Sequence, residues 1–378
     1  MRVLHLYADP HLTHGAAIFE YRIAQQLKDD GIIFDYLFSK KLLPEDAQRY
    51  AQNGSRVYDL GVDEKLNLIA HEIRANIAYY KFFKTHDYKI VYADTENALR
   101  AVHLLMARLA GVPVRVLHSH NTQLQTRSRL SHLIARVLRH VFRFSATHYF
   151  ACSDLAAQWL FPPSICRRKA YKVLQNGVDL TQFRFNPQIR SELRAKLGIC
   201  DDQLLLGHVG RFMPQKNHSF LLEIFAGVVE KKPDARLMLI GDGANRAEAE
   251  RKAKELGIED KVLFIGSVQN VSDYLQAMDM FIMPSLFEGL PVTGIEAQAA
   301  SLPCIFSDTI TRELAITSLA EYLPIDSIDP WVERICRADA TLPRQDVEQQ
   351  IIQAGYSIDH TAAQLREFYF KHGGSECL

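Results

Sequence analysis

The sequence predicts an α/β protein built from two doubly wound domains, each with a parallel sheet covered by helices. Three observations predict this class. Apolar segments of strand length alternate with segments of helical spacing, the alternation occurs in both halves of the chain, and a more polar, proline-containing stretch near 180–190 separates the halves. The length of 378 residues also exceeds what one hydrophobic core usually organises.

In the first half, strand-like and helix-like segments follow one another. RVLHLYA is typical of a buried strand, and AAIFEYRIAQQLKDD has apolar residues at helical spacing before Gly31 ends it. The alternation continues with IIFDYLF, YKIVYAD, ALRAVHLLMARLAG and VPVRVLHSH. We expect the first domain to span 1–180.

The second half begins the same order afresh. Its strand-like segments are LLLGHVGRF, RLMLIGDG, KVLFIGS, MFIMPS and PCIFS, and helix-like segments lie between them. We expect the second domain to span 181–357 and the last helix, about 358–378, to pack back on the first. Because ligands of such sheets bind beyond the carboxyl ends of the strands, two facing domains would form a binding cleft.

Composition excludes several classes of protein. Lys plus Arg equals Asp plus Glu at 44 each, so no net charge attracts nucleic acid. The six cysteines are scattered without a C-x-x-C pair, which argues against a disulfide scaffold and a structural zinc site. No run of about 18 apolar residues is long enough to span a membrane. We expect a cytoplasmic protein with reduced thiols.

The stretch EGLPVTGIE places two carboxylates, Glu288 and Glu296, around a predicted helix start. If Pro291 takes the first helical position, the amides around it point out of a helix end that favours phosphate. Glu296 could then hold a ribose diol and Glu288 could reach the group beyond the phosphates. Gly289 and Gly294 would let the backbone approach a ligand. The alternative is a solvated loop glutamate and an ordinary helix glutamate.

Two cations occur on the loop after an earlier strand. VGRFMPQKN places Arg211 and Lys216 five residues apart, behind Gly210. Together they could stabilise the charge of a departing diphosphate without a metal ion. Taken alone, an Arg and a Lys on a loop are usually surface residues. The nearest approach to a metal-binding D-x-D triad, Asp94-Thr95-Glu96, lies in the other half, so we predict no metal site.

GRFMPQKN together with EGLPVTGIEAQAASLPCIFSD resembles the family-4 retaining glycosyltransferases. Further similar stretches are VLQNGVDLTQF, LIGDG, VLFIGSV and the strand ending VLHSHN, so the resemblance extends over nearly the whole chain and is densest from 173 to 308. It implies the GT-B fold, in which two facing Rossmann-like domains hold the nucleotide-sugar mainly in the second domain and the acceptor in the first.

The resemblance also implies roles for individual residues. Arg211 and Lys216 would contact the diphosphate, Glu296 the ribose, and Glu288 the sugar hydroxyls near the anomeric carbon. The remaining donor-binding positions are Gly210 on the cationic loop, backbone at Gly289, Leu290 and Pro291 near sugar and phosphate, and Val268 beside the base. The sugar would keep its anomeric configuration.

The first half contributes candidates for the acceptor side. A histidine that lines the site in this family corresponds to His118 or His120, which we expect on opposite sides of the strand end, and both remain candidates. A strand-end histidine can also be purely structural. In DPHLTHGAA the first glycine of the family's usual pair is His14, while Gly15 remains to allow close approach of phosphate or acceptor.

Residues 127–143, RSRLSHLIARVLRHVFR, have an apolar stripe with arginines around it. A basic amphipathic helix of this kind can lie on an anionic membrane surface. The alternative is a helix that packs its stripe on the sheet while the arginines are merely solvated.

These observations favour a metal-independent, cofactor-free retaining glycosyltransferase. We expect it to move a hexosyl unit from a nucleotide-sugar, in particular a UDP-sugar, to a capsule or exopolysaccharide oligosaccharide or a lipid-linked acceptor. The alternatives are a catalytically silent GT-B partner that binds sugar or peptide for an active subunit, and a UDP-sugar epimerase. A dinucleotide oxidoreductase is disfavoured because neither half has G-x-G-x-x-G after its first strand.

Overall fold

The computed structural model describes residues 1–6, 15–63, 68–95, 100–120, 136–338 and 343–374. The chain divides into two compact units: the first unit is Met1–Gly177 with Ile358–Leu378, and the second unit is Val178–Ser357. The boundary expected from sequence, after residue 180, differs from the observed one by three residues.

The first unit contains a seven-stranded sheet whose paired strands are all parallel. The spatial order is β3-β2-β1-β4-β5-β6-β7, so β1, β4 and β5 lie side by side near the centre. The strands are β1 (Arg2–Leu6), β2 (Ile33–Phe38), β3 (Val57–Asp59), β4 (Ile90–Asp94), β5 (Val114–Ser119), β6 (His148–Ala151) and β7 (Lys172–Val173).

Helices cover both faces of this sheet. They are α1 (Gly15–Lys28), α2 (Pro44–Ala51), α3 (Leu68–Thr85), α4 (Ala101–Ala110), α5 (Phe142–Ser145), α6 (Asp154–Leu160), α7 (Pro163–Arg167) and, from the end of the chain, α16 (Ile358–Gly373). One apolar core joins α3, α4 and α6 to the sheet, and another joins α1 and α16 to the opposite face. The C-terminal helix α16 thus belongs to the first unit.

The second unit contains a six-stranded parallel sheet of order β10-β9-β8-β11-β12-β13. Because β8 and β11 are neighbours, the loops that follow them start at the same edge of the sheet. The strands are β8 (Leu205–Val209), β9 (Arg236–Ile240), β10 (Val262–Gly266), β11 (Met280–Met283), β12 (Cys304–Ser307) and β13 (Ala320–Leu323).

Helices and apolar cores again lie on both faces of the second sheet. Near-continuous apolar strands such as MFIM are buried along their whole length, as expected for a parallel sheet between helical layers. The helices are α8 (Leu180–Phe183), α9 (Pro187–Leu197), α10 (His218–Lys231), α11 (Arg246–Glu255), α12 (Val271–Ala277), α13 (Val292–Ala299), α14 (Asp329–Cys336) and α15 (Glu348–Gln353).

A buried charge cluster fixes the helices behind the second sheet. Asp279 accepts hydrogen bonds from Arg190 at 2.5 Å and from Arg194 at 3.2 Å. Arg344 donates to the carbonyls of Met278 and Ala300, each at 2.6 Å, which lie at the carboxyl ends of α12 and α13. Cations are favoured at such helix ends. Burial, followed by the charge of Arg190, lowers the pKa of Arg344 to about 9.

Sequence patterning leaves residues 39–87 unassigned, whereas the structure places α2, β3 and the 18-residue α3 there. The pattern of α3 is difficult to detect because its exposed side carries apolar as well as charged residues. Ile73 and Ile77 are exposed, while Tyr79 and Phe82 are buried in the core. Apolar residues on both sides of a helix weaken its periodicity.

Only part of the basic segment 127–143 can be compared with its two interpretations, since 121–135 lie outside the described residues. In the described part, Phe142 is fully buried and Leu138 and Val141 pack against the core of the first unit, whereas Val137 is 61% exposed. Three of the four described residues of the predicted stripe therefore face the protein.

Among the described helices, none combines the length and hydropathy needed to pass through a lipid bilayer.

Candidate donor site and histidine cluster

The site in the second unit is formed by the two loops that follow β8 and β11. The backbone N–H of Leu286 donates to the carbonyl of Gln215 at 2.8 Å, and the side chain of Gln215 donates to the carbonyl of Phe287 at 2.9 Å. Asn217, in a left-handed backbone conformation, donates from its side chain to Pro284 at 3.2 Å. These bonds hold the two loops together.

The structure brings Lys216 and Glu288 into direct contact across these loops. Lys216 Nζ lies 2.6 Å from Glu288 Oε1, and Gln215 Nε2 donates to Glu288 Oε2 at 3.1 Å. Only 13% and 8% of the Lys216 and Glu288 side chains are exposed, so water screens the pair weakly. Lys216, assigned to the diphosphate, and Glu288, assigned to the sugar, thus form one ion pair. A nucleotide-sugar would have to bind beside this pair or separate its two side chains.

Glycine at position 210 is required by the close packing of this loop. A Cβ there would lie 3.1 Å from Lys216 Cε and 2.9 Å from His208 Nε2. The loop after β9 also approaches Gly210. Gly241 in that loop has φ 134°, and a Cβ on it would lie 2.1 Å from the Gly210 carbonyl oxygen. The stem of Lys216 therefore passes directly over Gly210.

Arg211 is the second cation of the site, and its side chain is exposed. Among the residues that the structure describes, it makes no hydrogen bond or ion pair. An exposed guanidinium with five donors is suited to a diphosphate, whose oxygens accept in a bidentate way.

The helix start differs by one residue from the sequence prediction. Pro291 is the residue before α13 and not its first helical residue, with φ −72° and ψ 113°. The predicted phosphate-binding amides remain at the helix start, because the first turn of any helix has N–H groups without intrahelical acceptors. Gly289, Leu290 and Pro291 are buried at this turn.

Glu296 lies in the second turn of α13, and 7% of the residue is exposed. Gly294 does not face a ligand, contrary to the expectation from sequence. A Cβ on Gly294 would lie 2.8 Å from Leu314 and 3.3 Å from Phe306, so this glycine allows α13 to pack on the core. Val268 lies in the loop after β10, half-buried, and packs against the same core.

Two buried histidines lie beneath the cationic loop and were not identified from the sequence. His208 Nδ1 hydrogen-bonds the Ile282 carbonyl at 2.8 Å, and the His218 ring stacks on Phe212 with centroids 4.1 Å apart. Burial, followed by the positive charge of Lys216, lowers the pKa of His218 to about 4. Burial, followed by His218, also lowers the pKa of His208 well below its usual value. Both rings are therefore neutral at pH 7, which avoids repulsion of Lys216.

This burial makes the stability of the second unit depend on pH. The folded pKa of His218 is about 4 and its unfolded value is about 6.5, so its stabilisation is full above pH 6.5 and is lost as the pH falls toward 4. From pH 7 to pH 5 we expect a loss of about 2 kcal/mol in the free energy of unfolding. His218→Phe, which keeps a ring on Phe212, should reduce the pH dependence by this amount.

The measurement is chemical unfolding at pH 7 and pH 5, followed by fluorescence of Trp331, which is fully buried in the second unit. The second tryptophan, Trp159, is replaced by Phe in all samples so that only the second unit is observed. Equal pH dependence with and without His218 would show that this histidine is not buried in its neutral form.

In the first unit, His118 and His120 lie together and not on opposite sides. Their ring centroids are 3.8 Å apart. In an extended chain, side chains at positions i and i+2 point to the same face, and this places the two rings together. His120 Nε2 donates to Asp94 Oδ1 at 2.8 Å, and His118 Nδ1 lies 3.2 Å from the same oxygen and 2.8 Å from the Tyr92 hydroxyl.

Asp94, at the end of β4, orders both rings. Burial alone would raise the pKa of Asp94, but the adjacent His120 and His118 outweigh it and hold that pKa well below its usual range. Burial and the neighbouring His120 lower the pKa of His118 to about 4. The ionised Asp94 carboxylate accepts from His120 Nε2, and His118 Nδ1 lies between this carboxylate and the Tyr92 hydroxyl.

Two further groups complete this histidine cluster of His5, Glu20, Asp94, His118 and His120. The Glu20 carboxyl contacts His5, and burial followed by the charge of Asp94 raises its pKa well above the usual value. The atoms of Asp94, His118 and His120 lie within 4.8 Å of one another, a spacing that a metal ion could bridge, as do those of His5, Glu20 and Asp94. Hydrogen bonds within the cluster already use the same Asp94 oxygen.

Other residues predicted for the first unit are placed as follows. Gly15 is the first residue of α1. His14 lies outside the described residues, as does Glu96 of the Asp94-Thr95-Glu96 triad.

Comparison with known proteins identifies the class of this fold. The pattern of the family "Glycosyl transferases group 1" matches residues 189–318. The crystal structure of Anabaena Alr3699/HepE in complex with UDP and glucose superposes with a TM-score of 0.76 over 97% of this chain and 99% of that one, at 17% identity. At this identity the similarity concerns the fold alone.

Relatives in sequence are closer. The relative named "Putative glycosyltransferase EpsF", from Bacillus subtilis, is 40% identical over 273 residues, which are 70% of each chain. The UDP-Gal:alpha-D-GlcNAc-diphosphoundecaprenol alpha-1,3-galactosyltransferase of Escherichia coli is 29% identical over 279 residues, also 70% of each chain.

Two parallel-sheet Rossmann-like units and the matches above define a glycosyltransferase of the GT-B type. The resemblance inferred from the sequence is confirmed. This chain belongs to the Glycosyl transferases group 1 family and is a glycosyltransferase.

Proposed function

We propose that this glycosyltransferase moves a hexosyl unit from a UDP-sugar to an oligosaccharide or lipid-linked acceptor during assembly of an exopolysaccharide or capsule. The observation that carries the proposal is the joined pair of loops in the second unit, where Lys216 contacts Glu288 and the Arg211 guanidinium is exposed beside them. The names of the relatives support the donor class: the E. coli enzyme is named for UDP-Gal, and the Anabaena protein crystallised with UDP.

In the proposed complex, the diphosphate lies between the cationic loop and the start of α13. Arg211 and Lys216 bind its oxygens, Glu296 accepts hydrogen bonds from the ribose, and Glu288 accepts them from the sugar. The remaining contacts come from backbone at Gly210, Gly289, Leu290 and Pro291, and from Val268 beside the base. In the first unit, we assign Gly15, His118 and His120 to the acceptor side.

The proposed reaction proceeds on one face of the sugar with retention of configuration. The bond from the anomeric carbon to the diphosphate oxygen breaks as the acceptor oxygen forms its bond to that carbon. The acceptor proton passes to a diphosphate oxygen, so the electron pair and the proton both reach the leaving group. Lys216 and Arg211 stabilise the charge that develops there. No enzyme nucleophile is required.

A metal ion is unnecessary in this proposal, because two cationic side chains neutralise the diphosphate. Transfer from the UDP-sugar should therefore proceed at an unchanged rate in excess EDTA. The measurement is UDP release by the purified chain with acceptor present, with and without chelator. Loss of activity in EDTA that added Mg²⁺ or Mn²⁺ restores would contradict metal independence.

The donor is tested by thermal unfolding with UDP-glucose, UDP-galactose, UDP-N-acetylglucosamine and GDP-mannose. A ligand at 100 times its dissociation constant adds about 2.7 kcal/mol to stability, which raises the melting temperature clearly. We expect a rise with at least one UDP-sugar and not with GDP-mannose. A rise with GDP-mannose alone would make the proposed donor class wrong.

The reaction products distinguish the proposed transferase from two alternative functions. A silent GT-B partner subunit releases no UDP by itself, whereas an epimerase forms a free sugar product without an acceptor. We expect UDP release that depends on acceptor and a product that contains the transferred sugar.

A further inference from the structure

Large apolar side chains are exposed on one side of the first unit. Of the ten large apolar residues that are exposed in the described part of the chain, six lie on α3, α4 and residues 136–145. They are Ile73 (56% exposed), Ile77 (52%), Tyr80 (37%), Leu109 (58%), Val137 (61%) and Phe144 (59%). Single exposed apolar residues are ordinary, but such a concentration marks an interaction surface.

The three segments are neighbours on one side of the first sheet. Helix α4 contacts α3 on one flank and α5 on the other. Arg108, near the end of α4, donates to the carbonyl of Phe144 at 2.5 Å, so Leu109 and Phe144 belong to adjacent elements. The opposite sides of the segments form the core through Tyr79, Leu104 and Phe142. The six exposed apolar side chains are therefore not part of the hydrophobic core of the first unit. We call this exposed side the outer face.

The charge of the outer face is strongly one-sided. The three segments carry seven cationic residues, of which Arg139 is half-buried and six are exposed: Arg74, Lys81, Lys84, Arg108, Arg136 and Arg143. Their one carboxylate, Glu72, is tied to His103 at 3.2 Å. The whole chain, in contrast, has 44 residues of each sign. The outer face thus combines exposed apolar side chains with a local excess of positive charge.

We propose that the outer face docks on an anionic lipid bilayer. Apolar side chains can enter the boundary between headgroups and acyl chains, while lysines and arginines contact anionic headgroups. Nucleic acid would match the charge but would not bury six apolar side chains. The proposal rests on the proposed function in one respect: a lipid-linked acceptor would be reached from the bilayer surface.

The structure places the proposed membrane contact on residues that only partly overlap those predicted from the sequence, which were 127–143. In the predicted basic helix, three of the four described stripe residues, Leu138, Val141 and Phe142, face the protein, and the fourth, Val137, is exposed. The exposed apolar residues of this region are Val137 and Phe144. Helix α3, which the sequence pattern did not reveal, contributes three of the six exposed apolar side chains. The contact therefore requires α3 as much as the basic segment.

The test is flotation of the full chain with vesicles of phosphatidylcholine alone or with 30% phosphatidylglycerol, the latter fraction being about that needed for a strong surface charge. We expect binding to the anionic vesicles only, weakened by salt. Lys81→Gln with Lys84→Gln should weaken binding about 30-fold, since each basic residue near the surface contributes roughly a factor of five. Ile73→Ser with Ile77→Ser should weaken it about tenfold or more.

Matched controls lie elsewhere on the chain. Leu43, 54% exposed beside α2, is the apolar control as Leu43→Ser, and exposed lysines of the second unit give the charge control Lys196→Gln with Lys231→Gln. Both should bind vesicles like the wild type. All variants should keep the wild-type melting temperature, because the changed side chains are exposed.

Equal binding to both vesicle types, or equal loss in the controls and in the outer-face variants, would overturn the proposal. So would a dimer, seen by analytical ultracentrifugation, that the Ile73/Ile77 variant dissociates while its vesicle binding is unchanged. UDP binding by the same samples separates this result from the proposed function. Vesicle binding without UDP binding would contradict the function alone, and UDP binding without vesicle binding would contradict the docking surface alone.

Discussion

Alanine at Arg211 or at Lys216 is expected to lower the turnover of sugar transfer by roughly 100- to 1,000-fold, the range seen when one stabilising group is removed from a developing anion. The physical reason is that the diphosphate gains charge as the bond to the sugar breaks, and these cations lie at the loop where we place it. Lys216 acts in a site with little water, where one charge has a large effect.

The two variants should differ in a second property. Lys216→Ala leaves the Glu288 carboxylate, 8% exposed, without its cationic partner, so we also expect a lower melting temperature. Arg211→Ala removes an exposed side chain and should leave stability unchanged. Arg251→Ala, an exposed arginine paired with Glu255 on α11, is the control for both properties. Near-normal turnover in both loop variants would contradict the diphosphate assignment.

Asparagine at Asp279 is expected to destabilise the second unit by about 3–5 kcal/mol, the usual effect of breaking a buried ion pair on one side. The variant keeps the shape of the side chain but removes the buried carboxylate that pairs with both Arg190 and Arg194. The other carboxylate near Arg194, that of Asp201, is 3.9 Å away and 90% exposed. It also weakens the acceptor for the backbone N–H of Leu205, bonded at 2.7 Å, at the start of β8.

Chemical unfolding observed through Trp331, in the Trp159→Phe background, measures this effect on the second unit alone. Asp260→Asn, whose carboxylate is 71% exposed beside Lys261, is the matched control and should change the free energy of unfolding by less than about 0.5 kcal/mol. A change of that small size at Asp279 would show that the arginines are compensated by the helix ends and not by the carboxylate.

The fold class could be predicted because its signals are local. Parallel strands between helical layers are apolar along their length, and the helices between them keep a 3.6-residue period, as in MFIM and HSFLLEIFAGVVEK. The missed helix α3 shows the limit of this signal. Its exposed side also carries apolar residues such as Ile73 and Ile77, so the 3.6-residue period that reveals a helix is weakened.

The candidate site was predictable in its members but not in its contacts. Residue types and spacing indicated Lys216 and Glu288 separately, while their contact depends on β8 and β11 being neighbours in the sheet. Gln215, which joins the two loops, has no distinctive sequence signal. The contact between Asp94 and His118 was likewise not predictable, because it depends on the pairing of β4 with β5.

The histidines beneath the donor loop illustrate a different limit. His208 lies within the apolar strand LLGHV, which is buried along its whole length. A histidine at such a position indicates a specific polar environment, because a buried polar group requires a hydrogen-bond partner. Nothing in the sequence shows that its neighbour is His218 or that both lie beneath Lys216. Such relations arise only when a loop folds back on the sheet.

A crystal structure of the chain with UDP tests the central claim most directly. We predict the diphosphate within hydrogen-bond distance of the Arg211 guanidinium and Lys216 Nζ, at the first turn of α13, with the ribose hydroxyls on the Glu296 carboxylate. UDP bound elsewhere, with Lys216 and Glu288 still paired and Glu296 making no contact to the nucleotide, would contradict the account.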